Sequence, residues 1–440
     1  MDATTKPASA SAFDAHHPPS NEIIETCVHC GFCLPACPTY VLWGQEMDSP
    51  RGRIYLMKLA SEGAAALNPK WVSHMDSCLG CMACMTACPS GVDYGKLIEA
   101  TRAQIERKHT RCWSEKLFRH FLFGTFTRPD RLRLLRWPLL AYQRSGLQAL
   151  LRSSGALRLL PKKLQAMEML LPKLGVNEKV AAVTPAQGIQ RRRVGLLLGC
   201  VQREFFPQVN AATARVLAAE GFEVISPQEQ TCCGALLAHG GEETGAMELA
   251  RKTIDAFERA NVDTIVTNAA GCGSNVKEYG HLLRDDAQYA ERAKQFSAKC
   301  KDVTEVLAQL EPRTKRRPLS LRVAFHDSCH LQHAQGVRSQ PRLLLSQIPG
   351  LQLEEIAESP ICCGSAGIYN LVQPDAANEL GDRKARLIAS LNAQVVATGN
   401  PGCLLQLQSS LKRIGSNTPV VHTIQLLDAS IRGANLESIL

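Results

Sequence analysis

The sequence predicts an α+β multidomain protein, with a mainly helical N-terminal domain, a helical connector and two repeated α/β domains. Three observations predict this architecture. Two cysteine runs of identical spacing lie within the first 90 residues, a basic segment with helical periodicity follows them, and the remainder repeats itself with a period near 130 residues. At 440 residues, the chain is long enough for two to four domains with a substantial core.

Each cysteine run has the spacing Cys-x2-Cys-x2-Cys-x3-Cys-Pro. The runs comprise Cys27, Cys30, Cys33 and Cys37, then Cys78, Cys81, Cys84 and Cys88. This is the bacterial spacing for two [4Fe–4S] cubanes, in which the fourth cysteine of each run ligates the other cluster. On that rule, cluster one takes Cys27, Cys30, Cys33 and Cys88, and cluster two takes Cys78, Cys81, Cys84 and Cys37. Structural zinc and disulfides are the alternatives, but zinc sites usually use paired cysteine knuckles rather than a triplet plus one.

The segment around these runs predicts a ferredoxin domain over residues 21–105. The 40 residues between Cys37 and Cys78 are many more than a small βαββαβ ferredoxin would use. Within them, Ser49 and Pro50 begin a stretch of helical periodicity, and another begins at Tyr94. We therefore expect this two-cluster domain to be mainly helical.

The N-terminal composition and the cysteine content indicate the compartment. Residues 1–20 combine small, polar and proline residues, and predict a disordered leader without the apolar stretch of a secretory signal. No uncharged apolar stretch approaches the length of a transmembrane helix. Eighteen cysteines without an export signal favour reduced, metal-binding thiols over disulfides. The sequence thus predicts a cytoplasmic protein.

The positive charge is concentrated in one segment. Residues 101–193 carry 20 Lys and Arg against 5 Asp and Glu, so the remaining 347 residues sum to −6 although the chain carries +9. The helical connector predicted over 106–190 lies within this segment and contains Trp113, Trp137 and several phenylalanines. Two interpretations stay open: a solvated connector packed on its neighbours, or a peripheral contact with the inner face of the cell membrane. Nucleic acid is not expected, because no binding motif accompanies the charge.

Two cysteine-rich repeats are predicted over residues 191–318 and 319–440. In each, an apolar strand ends in a cysteine, a Cys-Cys-Gly follows about 30 residues later, and a second strand ends in the last cysteine. The copies are offset by 129 to 131 residues. Alternating short strands and helices predict parallel α/β units. The eight residues concerned are Cys200, Cys232, Cys233, Cys272, Cys329, Cys362, Cys363 and Cys403.

Loops at the carboxyl ends of parallel strands meet on one edge of a sheet, so the four thiols of each repeat can converge. Four converging thiols fit an iron–sulfur cluster or tetrahedral zinc, and reduced thiols without metal are the alternative. His326, His330 and His333 lie beside Cys329; they are candidate ligands or proton carriers, although ordinary loop histidines are the simpler interpretation. Cys112 and Cys300 fit no pattern and are expected to be buried.

Together these residues resemble the iron–sulfur subunit of glycolate oxidase (glycolate dehydrogenase), over nearly the whole chain. The resemblance includes both cysteine runs, the stretches 48–54 and 89–95, and both Cys-Cys-Gly repeats. The wider group includes a subunit of anaerobic glycerol-3-phosphate dehydrogenase, lactate-utilisation iron–sulfur proteins and heterodisulfide reductase subunits. In heterodisulfide reductase each repeat has a fifth cysteine that helps bind a non-cubane cluster. Here Asn275 and Gln406 stand at the matching positions.

The resemblance implies an electron-transfer subunit that works with FAD-bearing flavoprotein subunits, one of which oxidises glycolate to glyoxylate, and that passes electrons toward a quinone. The chain shows no nucleotide-binding fingerprint of its own. We therefore expect no catalytic residue and no complete substrate site here. The alternatives are a lactate or glycerol-3-phosphate dehydrogenase subunit, a heterodisulfide-reductase-like protein with a catalytic cluster in the repeats, and a redox-sensing or assembly protein.

Overall fold

A computed structural model describes residues 11–175 and 178–439. The N-terminal domain is helical, and its described part, residues 11–108, contains no strand. Its helices are α1 (Asn21–Glu25), α2 (Pro38–Trp43), α3 (Pro50–Ser61), α4 (Pro69–Asp76), α5 (Ala83–Thr86) and α6 (Tyr94–Lys108), with a 3₁₀ turn at Glu46–Asp48. The mainly helical domain predicted from the sequence is confirmed.

Side-chain caps set the starts of the two longest helices in this domain. At the start of α3, the Ser49 hydroxyl precedes Pro50 and accepts a hydrogen bond from the Gly52 amide. At the start of α6, the Asp93 carboxylate accepts from the Lys96 amide. Both are residue types that satisfy the free amides of a first helical turn.

The predicted disordered leader is wrong for residues 11–20, while residues 1–10 lie outside the described residues. Phe13 is buried against Trp71, and the Ala12 amide donates to the Ala60 carbonyl oxygen. Asp14 accepts from both Gln104 and Arg107. The polar composition of this segment predicted disorder, but one buried aromatic ring and several specific hydrogen bonds hold it against the domain.

The connector is helical, as predicted. It contains α7 (Trp113–Phe126), α8 (Pro129–Arg144), α9 (Leu147–Ser153), a 3₁₀ turn at Ala156–Leu159, and α10 (Lys162–Met169). Few of their residues are buried, and α9 buries none. Among the described residues, no helix is both long and apolar enough to cross a membrane.

The first repeat contains a five-stranded sheet in the order β1-β3-β2-β4-β5, in which only β1 is antiparallel. The strands are β1 (Val183–Thr184), β2 (Arg192–Leu197), β3 (Phe222–Ile225), β4 (Thr264–Thr267) and β5 (Cys300–Asp302). The helices are α11 (Val201–Phe205), α12 (Pro207–Ala219), α13 (Ala235–Gly240), α14 (Glu243–Ala260), α15 (Ala270–Lys277), α16 (Tyr279–Leu282), α17 (Ala290–Lys299) and α18 (Val303–Ala308). Strand β1 lies inside the predicted connector, so the sheet begins earlier than expected.

The second repeat has a four-stranded parallel sheet in the order β7-β6-β8-β9, which corresponds to β3-β2-β4-β5 of the first. Its strands are β6 (Arg322–His326), β7 (Gln352–Glu355), β8 (Val395–Thr398) and β9 (Val420–His422). Its helices are α19 (Ser339–Ser346), α20 (Tyr369–Val372), α21 (Pro374–Ala389), α22 (Pro401–Arg413) and α23 (Thr423–Arg432), with a π turn at His330–Ala334 and a 3₁₀ turn at Leu436–Ile439. The two repeated α/β units are therefore confirmed.

The two repeats share one apolar core and meet at the carboxyl ends of β4 and β8. The Ala270 amide donates to the Gly399 carbonyl oxygen, and the Gly271 amide donates to Asn400 Oδ1. At another contact, Arg215 of α12 pairs with the buried Asp428 of α23. These bonds bring the thiol-bearing ends of the two sheets together.

Candidate iron–sulfur centres

The first thiol group lies near the protein surface. Its four members, Cys27, Cys30, Cys33 and Cys88, line a cavity of about 30 Å³ that Cys84 also touches. Cys30 is exposed, and the other three members are half-buried. The turn that carries three of them needs a glycine, because Gly31 has φ +88° and a Cβ there would lie 2.8 Å from Arg51 Nη1.

The second thiol group is buried. Cys37, Cys78, Cys81 and Cys84 line a cavity of about 20 Å³, and each is less than 9% exposed. Cys37 precedes Pro38, the first residue of α2, so that the chain turns away from its own run at this point. The structure thus brings together the two sets of four that the crossed ligation rule predicts.

Buried positive charge surrounds the second thiol group. The fully buried Arg53 has Nη1 4.0 Å from Cys37 Sγ and donates from Nη2 to Thr39 and Ser77. Arg102 donates to the Cys78 carbonyl oxygen. Burial raises the pKa of the Cys78 thiol, but the charges of Arg53 and Arg102 outweigh it and the net pKa is lowered. The site therefore favours a thiolate.

Two basic residues of the N-terminal domain, Arg51 and Arg53, lie beside the thiol groups. Besides Arg53, Arg51 lies beside Gly31 and donates to the His29 carbonyl oxygen. Lys58 and Lys96 instead pair with Glu62 and Asp93, close to them in sequence. Sequence reasoning missed Arg102 and Tyr94, whose hydroxyl lies 3.6 Å from Cys78 Sγ. No local pattern marks either residue.

The spacing of the eight N-terminal thiols suits a larger body than a zinc ion. Tetrahedral zinc with Zn–S bonds of about 2.3 Å holds its sulfur atoms only about 3.8 Å apart. Among the described residues, only His16, His17 and Glu243 form a group of three or more His, Cys, Asp or Glu ligand atoms all within 4.8 Å of one another. Neither N-terminal four-cysteine set is that compact, whereas a [4Fe–4S] cubane separates its thiolates more widely. The donors therefore fit the cubane.

In the first repeat, Cys200 and Cys272 follow β2 and β4, and the Cys232–Cys233 pair precedes α13. The Sγ atoms of Cys200 and Cys232 lie 3.3 Å apart. Hydrogen bonds from Cys232 and Cys272 lower the pKa of the Cys233 thiol well below its usual range. The four thiols converge, as predicted, at the carboxyl ends of the strands.

The second repeat has the same arrangement. The Sγ atoms of Cys329 and Cys362 lie 3.8 Å apart, and Cys363 and Cys403 are buried beside them. Hydrogen bonds from Cys329 and Cys363 lower the pKa of Cys362 well below its usual range. The following Gly364 has φ +91°, and a Cβ there would lie 2.5 Å from the Ala377 carbonyl oxygen. This glycine is required by the backbone.

Asn275 and Gln406, which stand at the fifth-cysteine positions, form hydrogen bonds with backbone carbonyl groups instead of providing a thiol. Asn275 donates to the Cys233 carbonyl oxygen at 2.7 Å. Gln406 donates to the Ala377 carbonyl oxygen at 2.9 Å and accepts from Asn370. Each repeat therefore presents four thiols and a neutral amide.

The four thiol groups lie in a series. Cys81 of the second group shares an apolar cluster with Cys362 of the second repeat. Cys329 lines one cavity together with all four thiols of the first repeat. His330 joins three parts of the molecule, because it donates to the Gly80 carbonyl oxygen and accepts from Ser274. The series runs from the exposed first group, through the second group, to the second repeat and then the first.

The candidate histidines beside Cys329 have hydrogen-bond partners other than thiols. His326 Nδ1 lies 3.0 Å from Thr398 Oγ1, and burial lowers the pKa of this histidine to about 4. His333 contacts Thr86 and the Pro360 carbonyl oxygen. These contacts favour the loop-histidine interpretation. Cys300 is buried as expected, but the prediction for Cys112 was wrong, because it is exposed at the start of α7.

The connector carries an exposed apolar surface, which we call the connector surface. Several of its basic residues are held in local pairs, as Arg111 is by Asp76 and Glu115. Large apolar side chains nevertheless remain exposed. They are Trp113, Leu117, Phe121, Leu134, Leu135, Trp137, Leu147, Leu150, Leu159, Leu160 and Leu164.

Four segments of the chain match models of known protein families. Residues 23–92 match the model of the 4Fe-4S dicluster domain, and 194–277 and 323–408 match that of the cysteine-rich domain. Residues 114–171 match the linker region of the glycolate oxidase iron-sulfur subunit.

Two full-length relatives carry the same description. The chain is 40% identical over 412 residues to the probable glycolate oxidase iron-sulfur subunit of Bacillus subtilis (strain 168), covering 91% of this chain and 92% of the relative. It is 38% identical over 419 residues to the glycolate oxidase iron-sulfur subunit of Escherichia coli (strain K12), covering 94% and 95%. A crystal structure of a hypothetical protein from Helicobacter pylori shares the fold, with a TM-score of 0.54 and 9% identity over 89% of this chain and 69% of that one.

Proposed function

The chain belongs to the family of glycolate oxidase iron–sulfur subunits, and from that premise we propose that it is the electron-transfer subunit of an acceptor-dependent glycolate dehydrogenase. The observation that carries the proposal is the series of four thiol groups, which begins at the surface and ends beneath the connector. A series of closely placed redox centres suits transfer between other bodies rather than chemistry on a substrate.

We assign the eight N-terminal cysteines to two cubanes as the crossed rule requires. Cys27, Cys30, Cys33 and Cys88 hold the first, and Cys37, Cys78, Cys81 and Cys84 hold the second. A bound cubane takes up and releases one electron at a time. The residues of the chain position these thiolates, shield the second site from water and place Arg53 and Arg102 against its negative charge.

For the repeats we propose a further iron–sulfur centre in each. Four thiols converge in both copies and most of them are buried, which is a donor set that an iron–sulfur centre can use. The amides at 275 and 406 replace the fifth thiol of the heterodisulfide reductase pattern, which argues against disulfide-reducing chemistry here.

The flavoprotein partner is proposed to dock at the first thiol group. Cys30 is exposed there, and Val28 and Phe32 beside it are 67% and 65% exposed. Oxidation of a 2-hydroxy acid removes two electrons at once, which a flavin can accept and a single cubane cannot. FAD is therefore placed on the partner, and glycolate is oxidised to glyoxylate there.

The connector surface is proposed to lie on the inner face of the cell membrane. Its exposed tryptophans and leucines lie in the segment that carries the chain's net excess of positive charge. Aromatic rings with basic residues bind the interface of anionic bilayers. A quinone in that membrane is the acceptor that this placement favours.

The test uses the complex of this chain with its flavoprotein partners, purified without oxygen. Addition of glycolate is expected to bleach the iron–sulfur absorption and to produce paramagnetic reduced clusters. The isolated chain, given the same glycolate, serves as the control and stays oxidised. Clusters that remain oxidised in the complete complex would refute the proposal, and reduction by lactate or glycerol 3-phosphate alone would assign the complex to that substrate.

A further inference from the structure

A large apolar cavity lies between the connector and the two repeats. Its volume is about 610 Å³, within the range of small-molecule sites. Helices α7, α8 and α10 cover one side, and loops of both repeats form the other. Most of its wall is apolar, including Phe121, Leu135, Leu139, Leu164 and Leu371.

The cavity is far larger than a cluster site needs. The two cavities bounded by the N-terminal cysteines measure about 30 and 20 Å³ by the same measure. A metal centre on Cys200, Cys232, Cys233 and Cys272 would occupy only a small part of the 610 Å³. The remaining space is bounded mostly by carbon atoms, so it suits an apolar molecule rather than a column of water.

The cavity reaches the connector surface. Phe121, Leu135 and Leu164 line it and are also 45%, 39% and 44% exposed. Leu134 and Trp137, neighbours on α8, are 72% and 73% exposed. A long apolar ligand can therefore enter from the side of the protein that carries these exposed groups.

Two side chains in the wall of this apolar space, His239 and Gln202, each have a buried polar atom without a hydrogen-bond partner among the described residues. His239, on α13 just after the Cys232–Cys233 pair, pairs through Nδ1 with Glu99 at 2.8 Å. Its Nε2 is buried and forms no hydrogen bond with any described residue. His239 also lines an adjoining cavity of about 730 Å³ that contains Arg102, Arg111 and Arg119. The imidazole thus stands between a polar cavity and the apolar one.

We propose that the apolar cavity is the binding site of a lipophilic quinone, with its head near His239 and the thiols of the first repeat and its tail toward the connector surface. This inference rests on the proposed function and gives the acceptor a location. A flat, apolar head with carbonyl oxygens matches a carbon-lined space with one free polar nitrogen. With Nδ1 donating to Glu99, Nε2 donates to a quinone oxygen in the doubly protonated imidazole and accepts from the quinol hydroxyl in the neutral one.

The electrons and protons released by glycolate equal those taken up by the quinone. Glycolate loses two electrons and two protons on the flavoprotein to become glyoxylate. A quinone takes up two electrons, which arrive singly, and two protons to become the quinol. The protons come from water, and the polar cavity beside His239 provides a route for them.

The first test measures binding of decylubiquinone, a quinone with a short tail, to the cluster-loaded chain by equilibrium dialysis in detergent-free buffer. Leu135→Glu places a charge in the cavity wall and is expected to raise the dissociation constant at least tenfold. Leu343→Glu, exposed on α19 of the second repeat and outside the wall, is the control and should leave binding unchanged. Equal effects of the two substitutions, or no binding by the wild type, would overturn the inference.

A second variant tests the polar contact. His239→Gln keeps a hydrogen-bonding side chain but removes the imidazole, and is expected to weaken binding of the quinone several-fold while binding of decylbenzene stays unchanged. His120→Gln, on α7 outside the wall, is the control. Equal loss for the quinone and for decylbenzene would refute a role of His239 in recognising the head.

These outcomes separate the inference from the function on which it rests. Iron content and visible absorption are measured for every variant, so that loss of clusters is not mistaken for loss of the cavity. If glycolate still reduces the clusters of the complex while no quinone binds, the site is refuted and the proposed function stands. If glycolate reduces no cluster although quinone binds, the function fails and the site is retained.

Discussion

The N-terminal domain and the repeats each gather eight cysteines into two groups of four, but by different means. In the N-terminal domain, a single turn supplies three members of a group, and one residue crosses over from the other run. In each repeat, the members come from two strand ends and a distant loop, and they converge only because the strands are parallel neighbours. Local spacing builds the first kind of site, and sheet topology builds the second.

Loss of a crossing cysteine should have the largest effect. Cys37→Ser is expected to abolish the signal of the buried centre and leave that of the exposed one, and Cys88→Ser should do the reverse. The reason is that each residue completes the site opposite to its own run. Electron paramagnetic resonance of the reduced chain, with iron and sulfide analysis, measures this. Cys112→Ser is the control; loss of the same signal in both variants would contradict crossed ligation.

A cysteine of the repeats should affect only its own group. Cys233→Ser is expected to lower the iron content below that of the wild type while both N-terminal signals persist, because the repeat fold holds its thiols independently of the N-terminal turns. Cys300→Ser, buried in the same repeat but outside the group, is the matched control. Unchanged iron in Cys233→Ser, at about eight atoms per chain, would show that the repeats bind none.

The arginine at the buried centre should contribute more to stability and to the reduction potential than the arginine at the exposed centre. Arg53→Met leaves Asp48 without its guanidinium partner and is expected to lower the free energy of unfolding by about 3–5 kcal/mol. It should also lower the reduction potential of the second centre, because the reduced cluster loses a nearby positive charge.

Arg51→Met is the comparison for that substitution. Arg51 is partly exposed and pairs with Glu46 near the surface, so the expected cost is about 0–1 kcal/mol. Chemical denaturation and a redox titration measure both variants. Equal costs, or a larger shift for Arg51→Met, would contradict the assignment of Arg53 to the second centre.

The smallest effect concerns the connector. Trp113→Ala and Trp137→Ala remove side chains that are 77% and 73% exposed, so the free energy of unfolding should change by no more than about 0.5 kcal/mol. Binding to vesicles containing anionic lipid is nevertheless expected to weaken several-fold. Sedimentation with vesicles measures this, and Leu343→Ala, exposed on the second repeat, is the control. Vesicle binding equal to wild type would favour the interpretation of this segment as a solvated connector packed on its neighbours.

Much of the organisation was predictable because it depends on local pattern. The mainly helical first domain, the helical connector and the two repeats all follow from spacing and periodicity. The packing of residues 11–20 could not be predicted in this way, because Phe13 is a large apolar residue in a mostly polar stretch and its partner Trp71 is far along the chain. Strand β1 was missed for the same reason, since two residues form no pattern.

The sequence by itself determined which three cysteines of each run share a turn, because their spacing along the chain dictates their spacing in three dimensions, and the crossing of the fourth was expected from the known ligation rule for this spacing. It also determined that the repeats are copies of one another. Only the tertiary structure decided that the four thiol groups stand in series, that Arg53 and Arg102 lie against the buried group, and that an apolar cavity with His239 at its wall ends the series. Those relations join residues distant in sequence, and packing and sheet order bring them together without leaving a periodic trace along the chain.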